Sequence, residues 1–279
     1  MFNGATGCTR ALAALVDYRA SRERRLRPSP APPVAANACE TVRGMFAKAP
    51  DVLCEWQARP LLAAYGIGDC NAGALVQSAG EAEAAAGAAG GRVALKVQSA
   101  AIPHKTEAGA LALNVAADEV AAAYARVLAS SKSHAPAAVI DGVLVQPMAP
   151  RGREVILGIT RDARWGPLLM VGSGGVLVEA IGDIALAPVP LDRDAALALL
   201  AKLKGAALLG AYRGRREADA GALADLMVRL AAFAADHADT VAEIDLNPVI
   251  VHDKGAGVSV VDALIVKRAP GGQGRAAAE

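Results

Sequence analysis

A hairpin pattern near the end of the sequence restricts the possible folds more than any other feature. Over residues 242–248 polar and apolar side chains alternate, so Glu243, Asp245 and Asn247 share one face of a predicted strand. The following run Asp253-Lys254-Gly255-Ala256 favours a tight loop centred on its two middle residues. The sequence pattern therefore predicts an antiparallel pair of strands with a polar, acidic face.

The register of this hairpin brings two oxygen-bearing side chains together. With a two-residue loop at Lys254-Gly255, Asn247 lies opposite Asp262, with Cβ atoms about 4.5–5.5 Å apart. Such a pair suits one Mg²⁺ ion, which keeps waters and phosphate oxygens in its remaining positions. An edge hairpin whose acids are simply solvated is the alternative. We favour the metal-binding interpretation.

Composition argues against several classes of protein. The 279 residues suit one or two domains, and a net charge of +1 offers no electrostatic basis for binding nucleic acid. No apolar run reaches the roughly 20 residues of a membrane-spanning helix, so we expect no membrane segment. The N-terminus lacks a secretory signal pattern, which makes the cytoplasm the expected location. The four cysteines form no CxxC pair, so neither zinc nor a disulfide framework is predicted.

The order of patterns predicts an α+β protein with two lobes. Residues 1–50, which include a proline-rich run, are expected to form a tail and linker, and residues 51–148 the N-terminal lobe. Residues 149–268 are assigned to the C-terminal lobe and residues 269–279 to a disordered tail. Strands of the C-terminal lobe are predicted at 176–180, 241–251 and 258–266. The break at 147–150 indicates a cleft between the lobes, as in many nucleotide-binding proteins.

A lysine inside an apolar strand is the first candidate binding residue. Lys96 lies within Val93-Ala94-Leu95-Lys96-Val97. A cation there needs an anion or a route to water, because an unpaired buried charge is costly. A phosphate group is a natural partner for a compact ammonium. The alternative is an edge lysine that extends to solvent.

Two loops could contribute to phosphate chemistry. His104 lies in the polar loop 102–109 between two predicted strands, where a neutral imidazole could act as a nucleophile or carry a proton. It could equally be an ordinary surface histidine. The run 172–175, which contains Gly174 and Gly175, could bring backbone N–H groups close to phosphate oxygens or could form a tight hairpin. Neither a Walker A loop nor a GxGxxG motif occurs in the sequence.

Seven segments in order carry a family resemblance. They are LLAAYGI (61–67), ALKVQS (94–99), IPHKTEAG (102–109), VLVQPM (143–148), GSGGVLVE (172–179), YRG (212–214) and EIDLNP (243–248). Together they resemble the ATP-grasp domain of NDP-forming acyl-CoA synthetases, the family of ADP-forming acetate–CoA ligase, which are relatives of succinyl-CoA synthetase β subunits. The resemblance covers about residues 50–268 and implies a two-lobed ATP-grasp fold with the nucleotide between the lobes.

The resemblance implies a role for each candidate residue. His104 would relay a phosphoryl group towards ADP, and Asp245 would steady the phosphohistidine. Lys96 would contact the nucleotide phosphates, and Asn247 and Asp262 would bind Mg²⁺. The remaining implied ATP-binding residues are those of the interlobe strand, the ribose contact and the glycine-rich loop: Val145, Gln146, Met148, Glu154, Gly174 and Gly175.

The resemblance also implies a reaction and a partner. The family converts acyl-CoA, ADP and phosphate to a carboxylic acid, CoA and ATP through an acyl phosphate and a phosphohistidine. An α-type CoA-binding subunit or domain would supply the CoA and acyl sites, so this chain would act as a β-type component. The alternatives are a non-catalytic, nucleotide-sensing regulatory module and a truncated product of a fused enzyme.

Overall fold

The computed structural model describes residues 4–25, 34–68, 73–175, 182–211, 214 and 216–269. Its α-helices are α1 (Ala5–Arg25), α2 (Ala38–Phe46), α3 (Glu55–Ala63), α4 (Ala79–Ala89), α5 (Val120–His134), α6 (Arg193–Leu200) and α7 (Ala220–Asp236). Its strands are β1 (Val52–Leu53), β2 (Ala74–Val76), β3 (Val93–Gln98), β4 (Leu111–Val115), β5 (Gly142–Pro147), β6 (Arg153–Asp162), β7 (Gly166–Ser173), β8 (Ile184–Pro188), β9 (Val241–Val251), β10 (Val258–Val260) and β11 (Leu264–Lys267). The predicted mixed helix-and-sheet class is confirmed.

The smaller of two antiparallel sheets has the strand order β2-β5-β3-β4. Alternate residues of β3, namely Val93, Leu95 and Val97, join the apolar core that this sheet forms with α4 and α5. The opposite face carries Lys96. Gln146 lies on the same face because it pairs directly with Ala94, two residues before Lys96. One face of the small sheet is therefore apolar and the other polar.

The larger sheet has the strand order β1-β11-β9-β6-β7-β8, with β10 also paired to β9. Its core is filled mainly by helix α7 and by the inward-facing residues of β6 and β9. Strand β8 did not appear among the sequence predictions. The strand predicted at 176–180 lies outside the described residues. The strand predicted at 241–251 is present as β9, and the strand predicted at 258–266 is present as two pieces, β10 and β11.

The predicted hairpin register is confirmed. The Ala256 N–H donates to the Asp253 carbonyl oxygen over 2.8 Å, and Gly255 has a φ of +87°, which closes the two-residue loop. Pairs on either side of the polar positions keep one register, from Val258 opposite Val251 to Leu264 opposite Asp245. Residues 261–263 separate β10 from β11, and the shared register brings the predicted metal-binding pair, Asn247 and Asp262, opposite each other.

The N-terminal boundary differs from the predicted division at residue 51. Helix α2 buries Val42 and Phe46 in the core of the large sheet, and α3 buries Leu62 there together with Tyr65. Strand β1 pairs with β11 at the edge of the same sheet. The prediction divided the chain at residue 51 because regular patterning begins at about Val52, after the proline-rich run. Burial instead assigns residues 38–67 to the large-sheet unit, and the small-sheet unit begins at about residue 73.

Two parts of the predicted N-terminal tail are helical, α1 and α2. Helix α1 exposes its apolar side chains, among them Leu12, Leu15 and Val16. The proline-rich run and the end of the predicted C-terminal tail, from residue 270, lie outside the described residues. Among the helices that the structure describes, none is both long and apolar enough to cross a membrane.

Candidate functional site

A cavity of about 780 Å³ lies between the two sheets. The small-sheet unit contributes Lys96, Gln146 and Met148 to its lining, and the large-sheet unit contributes Glu154 and Ile250. The lining thus combines charged and amide side chains with apolar ones. A cleft of this size, with a few polar groups on mostly apolar walls, is typical of small-molecule binding sites.

Lys96 is buried, with 2% of its surface exposed, so the alternative of an edge lysine in solvent is wrong. Its Nζ donates to Oε2 of Glu55 over 3.0 Å and to the carbonyl oxygen of Val261. An ammonium has three N–H donors, and these two partners take two of them. The anion beside this cation is a carboxylate of the chain itself, whereas the sequence analysis expected a phosphate.

Glu55, which the sequence analysis did not single out, is the anion. It is the first residue of α3 and is 1% exposed. Its Oε1 accepts a hydrogen bond from Nε2 of Gln146 over 2.7 Å. Burial raises the pKa of Glu55, and the nearby Lys96 ammonium opposes that rise. Acids are common in the first turn of a helix, so the sequence alone offered no signal that this one reaches the cleft.

A second ion pair lies beside the first. Nζ of Lys105 is 2.7 Å from Oδ2 and 3.0 Å from Oδ1 of Asp262. Burial would raise the pKa of Asp262, but the ammonium groups of Lys105 and Lys96 hold it below its ordinary value. Asp262 therefore stays ionised at neutral pH. The four side chains Glu55, Lys96, Lys105 and Asp262 are hereafter called the charge cluster.

The predicted metal-binding residues have suitable chemistry. Asn247 is exposed, and Asp262 is about a quarter exposed, at 26%. Both offer oxygen atoms, the donors that Mg²⁺ prefers. Within the described residues no group of three or more His, Cys, Asp or Glu side chains could hold a metal by itself. The pair therefore fits an ion that takes its other ligands from water and a nucleotide.

His104 and Asp245, the two residues predicted to handle the phosphoryl group, lie on the loop after β3 and on strand β9. His104 is exposed on the loop between β3 and β4, where its carbonyl oxygen accepts from the Ala108 N–H over 3.3 Å. Burial raises the pKa of Asp245 to about 6, with Asp262 and Glu243 adding to the rise, while His104 acts in the opposite direction. The ion pair between Lys105, the next residue, and Asp262 joins the His104 loop to the segment that faces β9.

Glu154 and the glycine turn meet at a second cavity of about 500 Å³. Glu154 lines both cavities, and Gly174 and Gly175 line the second. The Gly174 N–H donates to the Glu154 carbonyl oxygen over 2.8 Å. A Cβ atom on Gly174 would stand 2.4 Å from the carbonyl carbon of Glu154, so only glycine fits there. The loop continues from residue 176 outside the described residues.

The predicted interlobe strand divides between the core and the cavity. Gln146 and Met148 line the large cavity. Val145 does not: its side chain lies in the small-sheet core, and its backbone pairs with Leu95 on one side and Ala74 on the other. The Met148 N–H donates to the carbonyl oxygen of Arg92 over 3.0 Å. The geometry thus brings Gln146 and Met148, but not Val145, together with Lys96.

Comparisons with known proteins agree on the family. A model of the ATP-grasp domain matches residues 45–266. The chain is 33% identical to the β subunit of ADP-forming acetate–CoA ligase II of Pyrococcus furiosus, over 82% of this chain and 97% of that subunit. It is 37% identical to trans-feruloyl-CoA synthase FCS1 of an unknown prokaryotic organism, over 92% of this chain and 35% of that protein.

Solved structures give the same result. The dinucleotide forming acetyl-coenzyme A synthetase 1 of Ca. Korarchaeum cryptofilum, in complex with coenzyme A and Ca-AMPCP, matches with a TM-score of 0.76 and 33% identity, over 83% of this chain and 100% of that one. Another structure of that enzyme, with coenzyme A and Mg-AMPPCP, has its phosphohistidine segment pointing towards the nucleotide binding site and matches with a TM-score of 0.66, 30% identity and the same coverage.

The chain therefore belongs to the ATP-grasp domain family, in the group that contains the β subunits of ADP-forming acetate–CoA ligases. It spans about a third of the length of trans-feruloyl-CoA synthase FCS1 and of a second curated relative, ADP-forming acetate–CoA ligase I of Archaeoglobus fulgidus, at 35% and 30%.

Proposed function

We propose that this chain is the nucleotide-binding component of an ADP-forming acyl-CoA synthetase. The whole enzyme would convert acyl-CoA, ADP and phosphate to a carboxylic acid, CoA and ATP. The observation that carries the proposal is the ion pair of Lys105, the residue after His104, with Asp262, beside a cleft that is lined by Lys96 and Val261. The similarity to a ligase β subunit over nearly its whole length supports the same conclusion.

The nucleotide would lie in the large cavity. Lys96 has one N–H left after its bonds to Glu55 and Val261, and it would donate that hydrogen to a phosphate oxygen. Gln146 and Met148 would contact the base end of the nucleotide, and Glu154 would accept from ribose hydroxyls. Gly174 and Gly175 would let the backbone approach the ligand closely. Val145 would contribute through the strand that holds Gln146.

Asn247 and Asp262 would hold Mg²⁺ on the phosphate side of the nucleotide. Asp262 would exchange its ion pair with Lys105 for the metal, because both need the same two carboxylate oxygens. When bound, Mg²⁺ would neutralise phosphate charge during transfer. The released Lys105 ammonium would stay close to the phosphates and add a second positive charge there.

His104 would carry the phosphoryl group. In its phosphorylated form the P–N bond breaks as an oxygen of the ADP β-phosphate forms a new P–O bond, which leaves ATP and a neutral imidazole. Asp245 would accept a hydrogen bond from the second ring nitrogen and so fix the ring. The chain's part of the reaction is therefore the phosphoryl exchange between a histidine and a nucleotide.

The acyl-CoA half of the reaction would belong to an α-type CoA-binding subunit or domain. Two observations support this assignment. The Pyrococcus furiosus relative that the chain matches almost in full is itself a β subunit, and the chain matches only about a third of the longer synthases. We propose the cytoplasm as the location, where ADP and CoA are available.

Reconstitution tests the proposal. The full chain is mixed with an α-type subunit of this family, and ATP formation from acyl-CoA, ADP and phosphate is measured with wild-type chain and with His104→Asn. We expect turnover only with both components and loss of turnover in the variant, with His134→Asn as a matched exposed control. Turnover that survives His104→Asn would refute the relay. MgADP binding without turnover by any α-type partner would favour the regulatory module.

A further inference from the structure

We infer that Glu55 is a positioning residue that holds Lys96 and Gln146 in place for the nucleotide. The inference rests on the proposed nucleotide site. It adds a residue that lies on neither β3 nor β5, the strands that carry Lys96 and Gln146. Glu55 itself does not line the cavity. It would act through the two side chains that do.

The two carboxylate oxygens of Glu55 serve two different strands. Oε2 accepts from Lys96 on β3 over 3.0 Å, and Oε1 accepts from Gln146 on β5 over 2.7 Å. A carboxylate is only an acceptor, so it fixes which end of the Gln146 amide faces it. The amide oxygen of Gln146, which has no partner among the described residues, is then left to accept a hydrogen bond from a ligand.

Glu55 is held rigidly because of where its helix is anchored. The later residues of α3, Leu61 and Leu62, are buried in the core of the large sheet. Its first turn reaches the polar face of the small sheet, where the Trp56 N–H also donates to Oε1 of Gln98 over 3.1 Å. The position of Lys96 is therefore set from the large-sheet unit, across the cleft that the nucleotide would enter.

Burying this carboxylate has a cost that the fold could have avoided. An apolar residue at the start of α3 would need no partner, whereas a buried ion pair is often no more stable than well-packed apolar side chains. A pair with both partners almost fully buried, at 3% and 2% side-chain exposure, therefore indicates a use beyond stability. That use is to hold Lys96 and Gln146, the two side chains that face the ligand, on the single carboxylate of Glu55.

A double-mutant cycle tests the inference. MgADP affinity of the full chain is measured by calorimetry for wild type, Glu55→Gln, Lys96→Met and the double variant, and urea unfolding is measured for each without nucleotide. We expect Glu55→Gln to weaken binding about tenfold when Lys96 is present and to have little further effect in the Lys96→Met background, because coupled residues are not additive.

A matched control distinguishes the positioning of Lys96 by Glu55 from a general role of α3 in holding the two units together. Gln98→Leu breaks the adjacent contact between α3 and the small sheet and the hydrogen bond from Nε2 of Gln98 to the Lys96 carbonyl oxygen, but it leaves Nζ of Lys96 bonded to Glu55. We expect it to lower stability but to leave MgADP affinity within about twofold of wild type. Glu55→Asp keeps the carboxylate but shortens the side chain by one methylene, so it should weaken binding by less than Glu55→Gln. If Glu55→Gln does not fold, this variant still tests the shared acceptor.

The outcomes are distinct. Three results would each overturn the inference while leaving the nucleotide site intact. They are an equal loss of MgADP affinity from Glu55→Gln with and without Lys96, an equal loss of affinity in Gln98→Leu, and tighter MgADP binding in Glu55→Gln. Absence of MgADP binding by the folded wild-type chain would instead overturn the proposed function.

Discussion

Lys105 Nζ lies 2.7 Å from Oδ2 of Asp262, so the residue that follows His104 is tied to the acid predicted to bind Mg²⁺. The pair crosses the cleft, since Lys105 belongs to the loop after β3 and Asp262 to the segment between β10 and β11. With Lys96 and Glu55 it completes the charge cluster, which has two positive and two negative groups. A phosphate and a divalent cation entering together would keep that balance.

Removing the Lys105 ammonium should lower stability in the absence of ligand. Lys105→Met leaves the partly exposed Asp262 with less positive charge around it. We expect the free energy of unfolding to fall by about 1–2 kcal/mol, a value between those for surface and buried ion pairs. Urea unfolding measures the loss. Lys132→Met, at an exposed position on α5, is the matched control and should change little. Equal stability of the two variants would contradict the role of the pair.

Acidification should destabilise the protein partly through His237. This residue is buried beside Phe46, Phe233 and Tyr65, and burial lowers its pKa below 6.5 although Asp236 opposes the shift. The unfolded chain therefore takes up a proton at a higher pH than the folded chain does. The resulting stability is complete above about pH 6.5 and falls as the pH drops from there towards the lower folded pKa.

Urea unfolding at about pH 7.5 and pH 5.5 tests the His237 contribution. His237→Gln should lose less stability than wild type between the two pH values, although it begins from a lower stability because the aromatic contacts are gone. His134→Gln, exposed at the end of α5, should follow the wild-type slope. A slope unchanged by His237→Gln would show that the buried imidazole does not set this pH dependence.

Gly174→Ala should disrupt the wall between the two cavities. The added Cβ would stand 2.4 Å from the Glu154 carbonyl carbon, so the strand bearing Glu154 must shift. We expect a stability loss of about 1–3 kcal/mol, as for other overpacked sites, and weaker nucleotide binding. Gly91→Ala has open space around its Cβ and serves as control. Thermal unfolding with and without MgADP measures both effects, and a neutral Gly174→Ala would rule out the close approach.

Local chemistry made part of the site predictable. The hairpin register follows from a turn whose residues admit few conformations, so the sequence alone could bring Asn247 opposite Asp262. Lys96 was identifiable because a cation in an apolar strand must be neutralised. Its partner was not, because Glu55 precedes it by 41 positions and meets it only after α3 packs on the large sheet. The same long-range packing brings residues 38–67 into the core of the large sheet, which the sequence pattern did not indicate.

The most direct measurement is thermal unfolding of the full chain with and without MgADP, beside Asp262→Asn and the exposed control Glu243→Gln. At 100 times its dissociation constant the ligand should stabilise the protein by about 2.7 kcal/mol, a rise of roughly 5–10 °C in Tm. We predict that rise in wild type and in Glu243→Gln, its dependence on Mg²⁺, and its loss in Asp262→Asn. A folded wild-type chain whose Tm does not respond to MgADP, or an undiminished response in Asp262→Asn, would contradict the proposed nucleotide site.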